Sequence, residues 1–242
     1  MKNSETILVH AVQTLGTLDG PGVRFVIFLK GCPLRCRYCH NPDTWNVGGG
    51  QEYTWQQLAG LVMRYRHYIN ETGGVTVSGG EPLLQAERLI PFFTEMRKRG
   101  VHTALDTSGC LWSESARLLL EQVDLCLLDV KHMNGESYRL LTGGGRLEDT
   151  LFFLEMLDRM HIDTWIRQVV AEGLNDTPEE LSALKNLIRH YSCVKKTELL
   201  GFSTMCKTKY EALGIDFPMA DTPDTDTGKR MALQKYFDEM DY

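Results

Sequence analysis

Residues 32–39 read Cys-Pro-Leu-Arg-Cys-Arg-Tyr-Cys, three thiols spaced C-x3-C-x2-C and followed at once by His40, Asn41 and Pro42. Three cysteines in so tight a stretch form no disulfide framework. Converged on one centre, their thiolates suit an iron–sulfur cluster or zinc. A cubane cluster has four irons, so three protein ligands leave one iron open, and an open metal position is where chemistry takes place. The rival is a structural zinc knuckle. It needs a fourth ligand, yet His40 adjoins Cys39 too closely to turn back onto the same metal, and no second C-x2-C pair follows. Thiols with no metal at all are the third reading.

The other four cysteines are 110, 126, 193 and 206. Cys126 lies in the apolar run Leu125-Cys-Leu-Leu128 and reads as a small buried hydrophobe. The remaining three have no ligand spacing and read as free thiols. Seven cysteines with one tight triplet suit a reducing compartment and a metal site.

The elements that must position the triplet alternate. Strands are expected over Arg24–Lys30, Val75–Ser78, His102–Thr107, Leu125–Lys131, Thr164–Val170 and Thr197–Phe202. Helices are expected over Trp55–Asn70, Ala86–Arg99, Glu114–Gln122, Glu148–Met160 and Pro178–Tyr191, with a last one near Gly228–Met240 beyond the polar stretch Asp221–Thr227. Thr177 followed by Pro178, Glu179 and Glu180 is a helix start, and Thr54 with Gln57 is a capping box. Such alternation implies parallel βαβ units: an α/β fold, a partial (β/α)6 TIM-like barrel or a doubly wound sheet, with parallel strands and outer helices. No repeat, low-complexity tract or linker appears, so residues 1–242 are expected to form a single domain.

In either architecture the working residues belong at the carboxyl ends of strands. Those ends read Gly31-Cys32, Ser78-Gly79-Gly80-Glu81-Pro82, Asp106-Thr107-Ser108-Gly109, Asp129-Val130-Lys131 and Arg167. Nearly all are polar, charged or glycine. Composition sets the outer bounds. The 242 residues are 43% hydrophobic and 24% charged, an ordinary soluble balance, and the net charge of −6 argues against a nucleic-acid partner. The opening Met1–Thr6 lacks a signal peptide's apolar core and no apolar run is long enough to span a bilayer, so a cytoplasmic protein with no membrane partner is expected.

With these residues assembled, the sequence resembles the radical S-adenosylmethionine enzymes, whose hallmark is C-x3-C-x2-C with an aromatic (Tyr38) before the last cysteine. Gly79-Gly-Glu-Pro82 matches their second motif. Asp19-Gly-Pro-Gly-Val-Arg-Phe25, Lys30-Gly-Cys32, Cys39-His-Asn-Pro42, Trp45, Tyr65-Arg-His67, Leu105-Asp-Thr107, Leu128-Asp-Val-Lys131 and Trp165-Ile-Arg167 narrow the resemblance to the glycyl-radical-enzyme activases, over essentially the whole chain. No cysteine lies between Cys39 and Cys110, so the ferredoxin-like insert of some activases is missing.

The resemblance implies that Cys32, Cys36 and Cys39 hold a [4Fe-4S] cluster whose open iron chelates S-adenosyl-L-methionine. It implies contacts to that cofactor from Tyr38, Cys39, His40, Asn41, Gly79, Gly80, Glu81, Asp129, Val130, Lys131 and Arg167, with Lys131 and Arg167 toward its carboxylate. It further implies a monovalent cation near Asp106, Thr107 and Asp129. Where activases usually carry Leu-Leu-Pro-aromatic-His, this chain has Leu199-Leu-Gly-Phe-Ser203, so a serine stands at the nucleoside contact. The implied partners are a glycyl radical enzyme as protein substrate, with pyruvate formate-lyase the expected one, and a flavodoxin or ferredoxin as electron donor. The chain itself is expected to be a monomer. The competing functions are a radical enzyme acting on a small heterocycle and a non-catalytic metal-binding module.

Overall fold

The computed structural model describes residues 6–69 and 72–240. They divide into two compact units, one within residues 6–33 and 44–127 and the other within residues 34–43 and 128–240.

The first unit is built on a hairpin and parallel strands. Strands β1 (Ile7–Gly16) and β2 (Arg24–Leu29) pair antiparallel, and β3 (Gln51–Tyr53) pairs antiparallel with the other side of β1. Next to β2 lies β4 (Gly74–Gly79), parallel and in register from Arg24 opposite Gly74 to Leu29 opposite Gly79, and then β5 (His102–Thr107). The strand order is β3-β1-β2-β4-β5, followed by β6 (Leu125–Asp129), which begins in this unit and ends in the second. Buried on both faces, β2 and β4 read Arg-Phe-Val-Ile-Phe-Leu and Gly-Val-Thr-Val-Ser-Gly, the near-continuous run expected of parallel strands.

Helices α1 (Trp55–Arg64), α2 (Ala86–Lys98) and α3 (Glu114–Leu120) supply the apolar cover. Leu58 and Val62 of α1 and Leu89, Phe92, Phe93 and Met96 of α2 are fully buried, as helical spacing dictates. The Thr54 capping box is formed, with Thr54 accepting from Gln57 N and Gln57 returning to Thr54 N. Helix α1 stops at Arg64, earlier than the sequence predicts, and the turn through Tyr65–Tyr68 packs Tyr65 on Phe25 at 5.4 Å. Asn70, the expected helix end, and Met1–Glu5 lie outside the described residues.

The second unit carries α4 (Gly135–Thr142), α5 (Leu147–Arg159), β7 (Thr164–Val170), α6 (Pro178–Ile188), β8 (Val194–Gly201), α7 (Lys207–Leu213) and α8 (Thr227–Glu239). In it β6 continues to β7 and then to β8, which runs parallel to β7. Thr177 caps α6 by accepting from Glu180 N. Sheet and helices together are the expected α/β fold of mostly parallel strands. The six expected strands are all present, and β1 and β3, antiparallel and half-exposed, were not foreseen. Strand β6 ends at Asp129, two residues short of the expected Lys131, and Val130 N just beyond it still donates to Arg167 O of β7. Among the described residues no helix is long and apolar enough to cross a membrane.

One buried cation holds the amino ends of three strands in the first unit. Arg24 is fully buried, donating from Nε to Thr76 Oγ1 at 2.9 Å and from Nη2 to Val75 O at 2.6 Å, with Nη1 3.2 Å from His102 Nδ1. Burial pulls its pKa down to about 10, against the opposing carboxylates of Asp19 and Asp124. The arginine of the Asp19–Phe25 motif is thus a fold element, satisfied as a buried charge must be.

Candidate active site

The expected residues fall into two groups, one in each unit. In the first, the Gly79-Gly-Glu-Pro82 motif follows β4, as the strand-end rule requires. Gly79 has φ +109°, and a Cβ there would lie 2.2 Å from Leu29 N; a Cβ on Gly80 would lie 2.1 Å from Gly31 O. Only glycine permits this close approach of backbone to backbone. Gly80 N donates to Leu29 O and Glu81 N to Gly31 O, so the loop is laid against the residue preceding Cys32.

The Glu81 carboxylate is buried and fully engaged. Oε1 accepts from Thr107 Oγ1 at 2.5 Å and Leu83 N at 3.1 Å; Oε2 accepts from Ser108 Oγ at 2.6 Å and Ser108 N at 3.0 Å. Burial raises its pKa, and the hydrogen bonds from Ser108 and Thr107 oppose that shift. The site loop after β4 is bolted to the loop after β5 by this side chain. Asp106 is fixed as well, accepting from Ser78 Oγ at 2.6 Å.

In the second unit the cluster loop meets a cation. Lys131 is buried, 2.5 Å from Asp129 Oδ2 and 5.9 Å from the centre of the Tyr38 ring. Burial works against its charge, but Asp129 foremost, then Tyr38 and Cys36, outweigh it and leave the pKa raised. Arg167 Nε stands 4.0 Å from Asp129 Oδ1. Cys36 keeps some surface, yet the protein crowded around its sulfur pushes the thiol up to about 12, with Lys131 pulling it back. Iron coordination removes that proton outright. Tyr38 is buried.

Two helices absent from the sequence reading grip the cluster loop. On one side Arg35 N and Arg37 N donate to Thr142 O and Leu141 O at the end of α4, at 2.8 and 2.9 Å. On the other, Tyr210 of α7 donates to Cys39 O at 3.2 Å and Lys209 Nζ lies 2.8 Å from Asn41 Oδ1. His40 Nε2 donates to Ser203 O at 3.0 Å, which fixes its tautomer, since a carbonyl only accepts. Burial lowers the His40 pKa, so the imidazole is neutral at pH 7. Ser203, in the place of the usual histidine, spends its hydroxyl on Asp224 Oδ2 at 3.1 Å.

The Lys131 loop is itself pinned. Asn175 donates to Lys131 O and Val169 O, and Glu180 accepts from Met133 N and Gln168 Nε2 while His132 Nδ1 sits 3.0 Å from its other oxygen. None of these anchors carries a sequence signal of its own. For α4 a signal existed, because Asn134 is its N-cap and accepts from Ser137 N. Helix α7 has no side-chain cap and is short, so nothing local announced it.

Cys32, Cys36, Cys39 and Cys110 are half-buried while Cys126, Cys193 and Cys206 are buried, Cys126 as expected. Among the described residues no three His, Cys, Asp or Glu side chains are grouped as a lone metal ion requires. A cubane distributes its ligands over separate irons, and half-buried thiols, with Cys36 acted on by the buried Lys131, fit such a cluster in chemistry and charge.

The comparisons agree with that chemistry. Residues 18–161 match the 4Fe-4S single cluster domain family. The chain is 40% identical over 235 residues to a pyruvate formate-lyase-activating enzyme of Clostridium pasteurianum, covering 96% of this chain and 97% of that one. It is 41% identical over 214 residues to a pyruvate formate-lyase 1-activating enzyme of Escherichia coli K12, covering 87% of each. The fold is shared with Streptococcus suis SuiB bound to its precursor peptide SuiA, with a TM-score of 0.70 at 15% identity over 92% of this chain and 46% of that one. With cysteine triplet, glycine loop, parallel sheet and near-full-length relatives in agreement, the chain belongs to the pyruvate formate-lyase-activating enzymes, a family of radical S-adenosylmethionine enzymes.

Proposed function

We propose that this activase generates a glycyl radical on pyruvate formate-lyase, taking its electron from a flavodoxin or ferredoxin and acting as a monomer. Its [4Fe-4S] cluster, held by Cys32, Cys36 and Cys39, supplies when reduced the electron that splits S-adenosylmethionine into methionine and a 5′-deoxyadenosyl radical. The observation that carries the reading is Lys131. A buried lysine close enough to act on Cys36 supplies the cation that a carboxylate-bearing cofactor on the cluster needs.

The chain's own residues then divide the work. Lys131 and Arg167 orient the cofactor's carboxylate, and Asp129 holds both cations in place until it arrives. Tyr38, Cys39, His40 and Asn41 border the nucleoside, with Val130 and Ser203 contributing backbone. Gly79 and Gly80 offer main chain to the methionyl portion, and Glu81 fixes that main chain, because its own oxygens are already taken. A reduced cluster and a reactive radical both demand exclusion of competing reactions, which is the protein's share of the task.

The test is isotopic. A peptide copying the glycine loop of pyruvate formate-lyase, deuterated at the glycine, should pass deuterium into 5′-deoxyadenosine when the chain is reduced with S-adenosylmethionine. Cleavage of the cofactor at full rate with no deuterium in the product would overturn the assignment of substrate.

A further inference from the structure

Three consecutive residues at the end of the cluster motif are each tied to one short stretch of the second unit. Tyr210 Oη donates to Cys39 O at 3.2 Å, Ser203 O accepts from His40 at 3.0 Å, and Lys209 Nζ donates to Asn41 Oδ1 at 2.8 Å. All three partners fall within residues 203–210. Lys209 is steadied by Asp43, 3.5 Å away, so one ammonium spans Asn41 and Asp43.

The stretch is anchored from behind. Tyr210 is buried against Phe217 at 4.7 Å, and Phe217 stacks on Phe202 at 6.3 Å. Phe202 follows β8 directly, donating from N to Val170 O and accepting from Thr225 N. A rigid line of aromatic contacts therefore runs from the end of β8 to the Cys39 carbonyl. Aromatic pairs of this kind are stiff, since each ring has only two rotatable bonds to hold. Two of the three ties are side-chain hydrogen bonds that a substitution can remove without touching the motif.

We infer that Lys209 and Tyr210 are positioning residues of the cofactor site: α7 sets Cys39 and Asn41, with Lys209 acting through Asn41 and Tyr210 through the Cys39 main chain, while Ser203 ahead of the helix holds His40. The inference rests on the reading that these three residues border S-adenosylmethionine. An amide whose oxygen accepts from an ammonium is held in one orientation, and its NH2 is the kind of donor a ribose hydroxyl accepts from. Without Lys209 the Asn41 oxygen loses a charge-assisted hydrogen bond, and a cofactor must hold the side chain at a greater cost in entropy.

The experiment uses the anaerobic, cluster-loaded chain and S-adenosylmethionine as ligand. Lys209→Met should weaken binding by about three- to tenfold, the range of one hydrogen bond, with iron content unchanged and Lys209→Arg restoring much of the affinity. The double variant Lys209→Met with Asn41→Ala should bind no more weakly than Asn41→Ala alone, because a residue acting through another is not additive with it. Tyr210→Phe should shift the paramagnetic resonance spectrum of the reduced cluster and hasten iron loss to a chelator severalfold. Additive losses in the double variant, or wild-type affinity in Lys209→Met together with a wild-type spectrum and iron loss in Tyr210→Phe, would overturn the inference. Should the wild-type chain bind no S-adenosylmethionine, the reading of the site fails instead, and the iron-loss comparison still decides whether α7 holds the loop.

Discussion

Two carboxylates at or just beyond strand ends in this molecule have opposite surroundings. Glu81, in the first unit, is met by two hydroxyls and two backbone N–H groups, all neutral. Asp129, in the second, is met by an ammonium at 2.5 Å and a guanidinium at 4.0 Å. Neutral donors fixed in the fold have nowhere else to go, so Glu81 is a permanent bolt. Charged partners can exchange one anion for another, and on the proposal above Lys131 and Arg167 would exchange Asp129 for a ligand carboxylate. The same chemical group is held by neutral donors in one unit and by cations in the other.

Substitutions can break that contrast. The largest effect falls on the cluster itself: Cys36→Ala removes one of three iron ligands and should abolish both the four-iron spectrum and cleavage of S-adenosylmethionine, whereas Cys193→Ala should leave both. Lys131→Ala comes next. Loss of a charge-assisted contact is worth roughly 1.5–3 kcal/mol, so calorimetry should find S-adenosylmethionine bound about ten- to a hundredfold more weakly, with the unfolding midpoint little changed.

The bolt should respond the other way. Glu81→Gln puts an amide NH2 against donors already aimed at a carboxylate, costing about 1–3 kcal/mol in urea unfolding. Its effect on the cofactor should be secondary to that loss. If Glu81→Gln instead abolished binding in a chain of unchanged stability, the bolt would be a ligand and the contrast would collapse.

The smallest effect is a pH dependence. His132 Nδ1 is 3.0 Å from Glu180 Oε2, and also 3.0 Å from Asn134 N, which can donate only to the neutral ring. The bond to Glu180 raises the His132 pKa above its ordinary value. Folding therefore favours the protonated ring. The contribution is fully present below the unfolded pKa of about 6.5 and is lost as pH rises through the higher folded value. Unfolding free energies from urea titration should fall over that window by under about 1 kcal/mol relative to His132→Asn, whose profile should be flatter.

How much of this was legible depends on distance along the chain. The six parallel strands and most helices followed from local period and caps, as at Thr54 and Thr177. The hairpin strand β1 escaped because half of it faces solvent and its pairing with β2 is interrupted by irregularities, so its alternation is blurred. The start of β8 was hidden by the exposed Lys195 and Lys196. The cluster cysteines and the glycine loop were readable because their chemistry is written in adjacent residues. What grips them was not: Tyr210 and Lys209 lie far from Cys39 and Asn41 in sequence, on a helix with no side-chain cap. The role of Glu81 was legible only as a motif letter, and which of its atoms matter depends on Thr107 and Ser108.

The central claim is that this chain places a radical on a glycine of a partner protein. The direct measurement is electron paramagnetic resonance after anaerobic incubation of the reduced, cluster-loaded chain with S-adenosylmethionine and pyruvate formate-lyase. The account predicts a glycyl doublet on pyruvate formate-lyase that collapses when its glycine is deuterated and is missing with Cys36→Ala. Full cleavage of S-adenosylmethionine with no glycyl signal would contradict it.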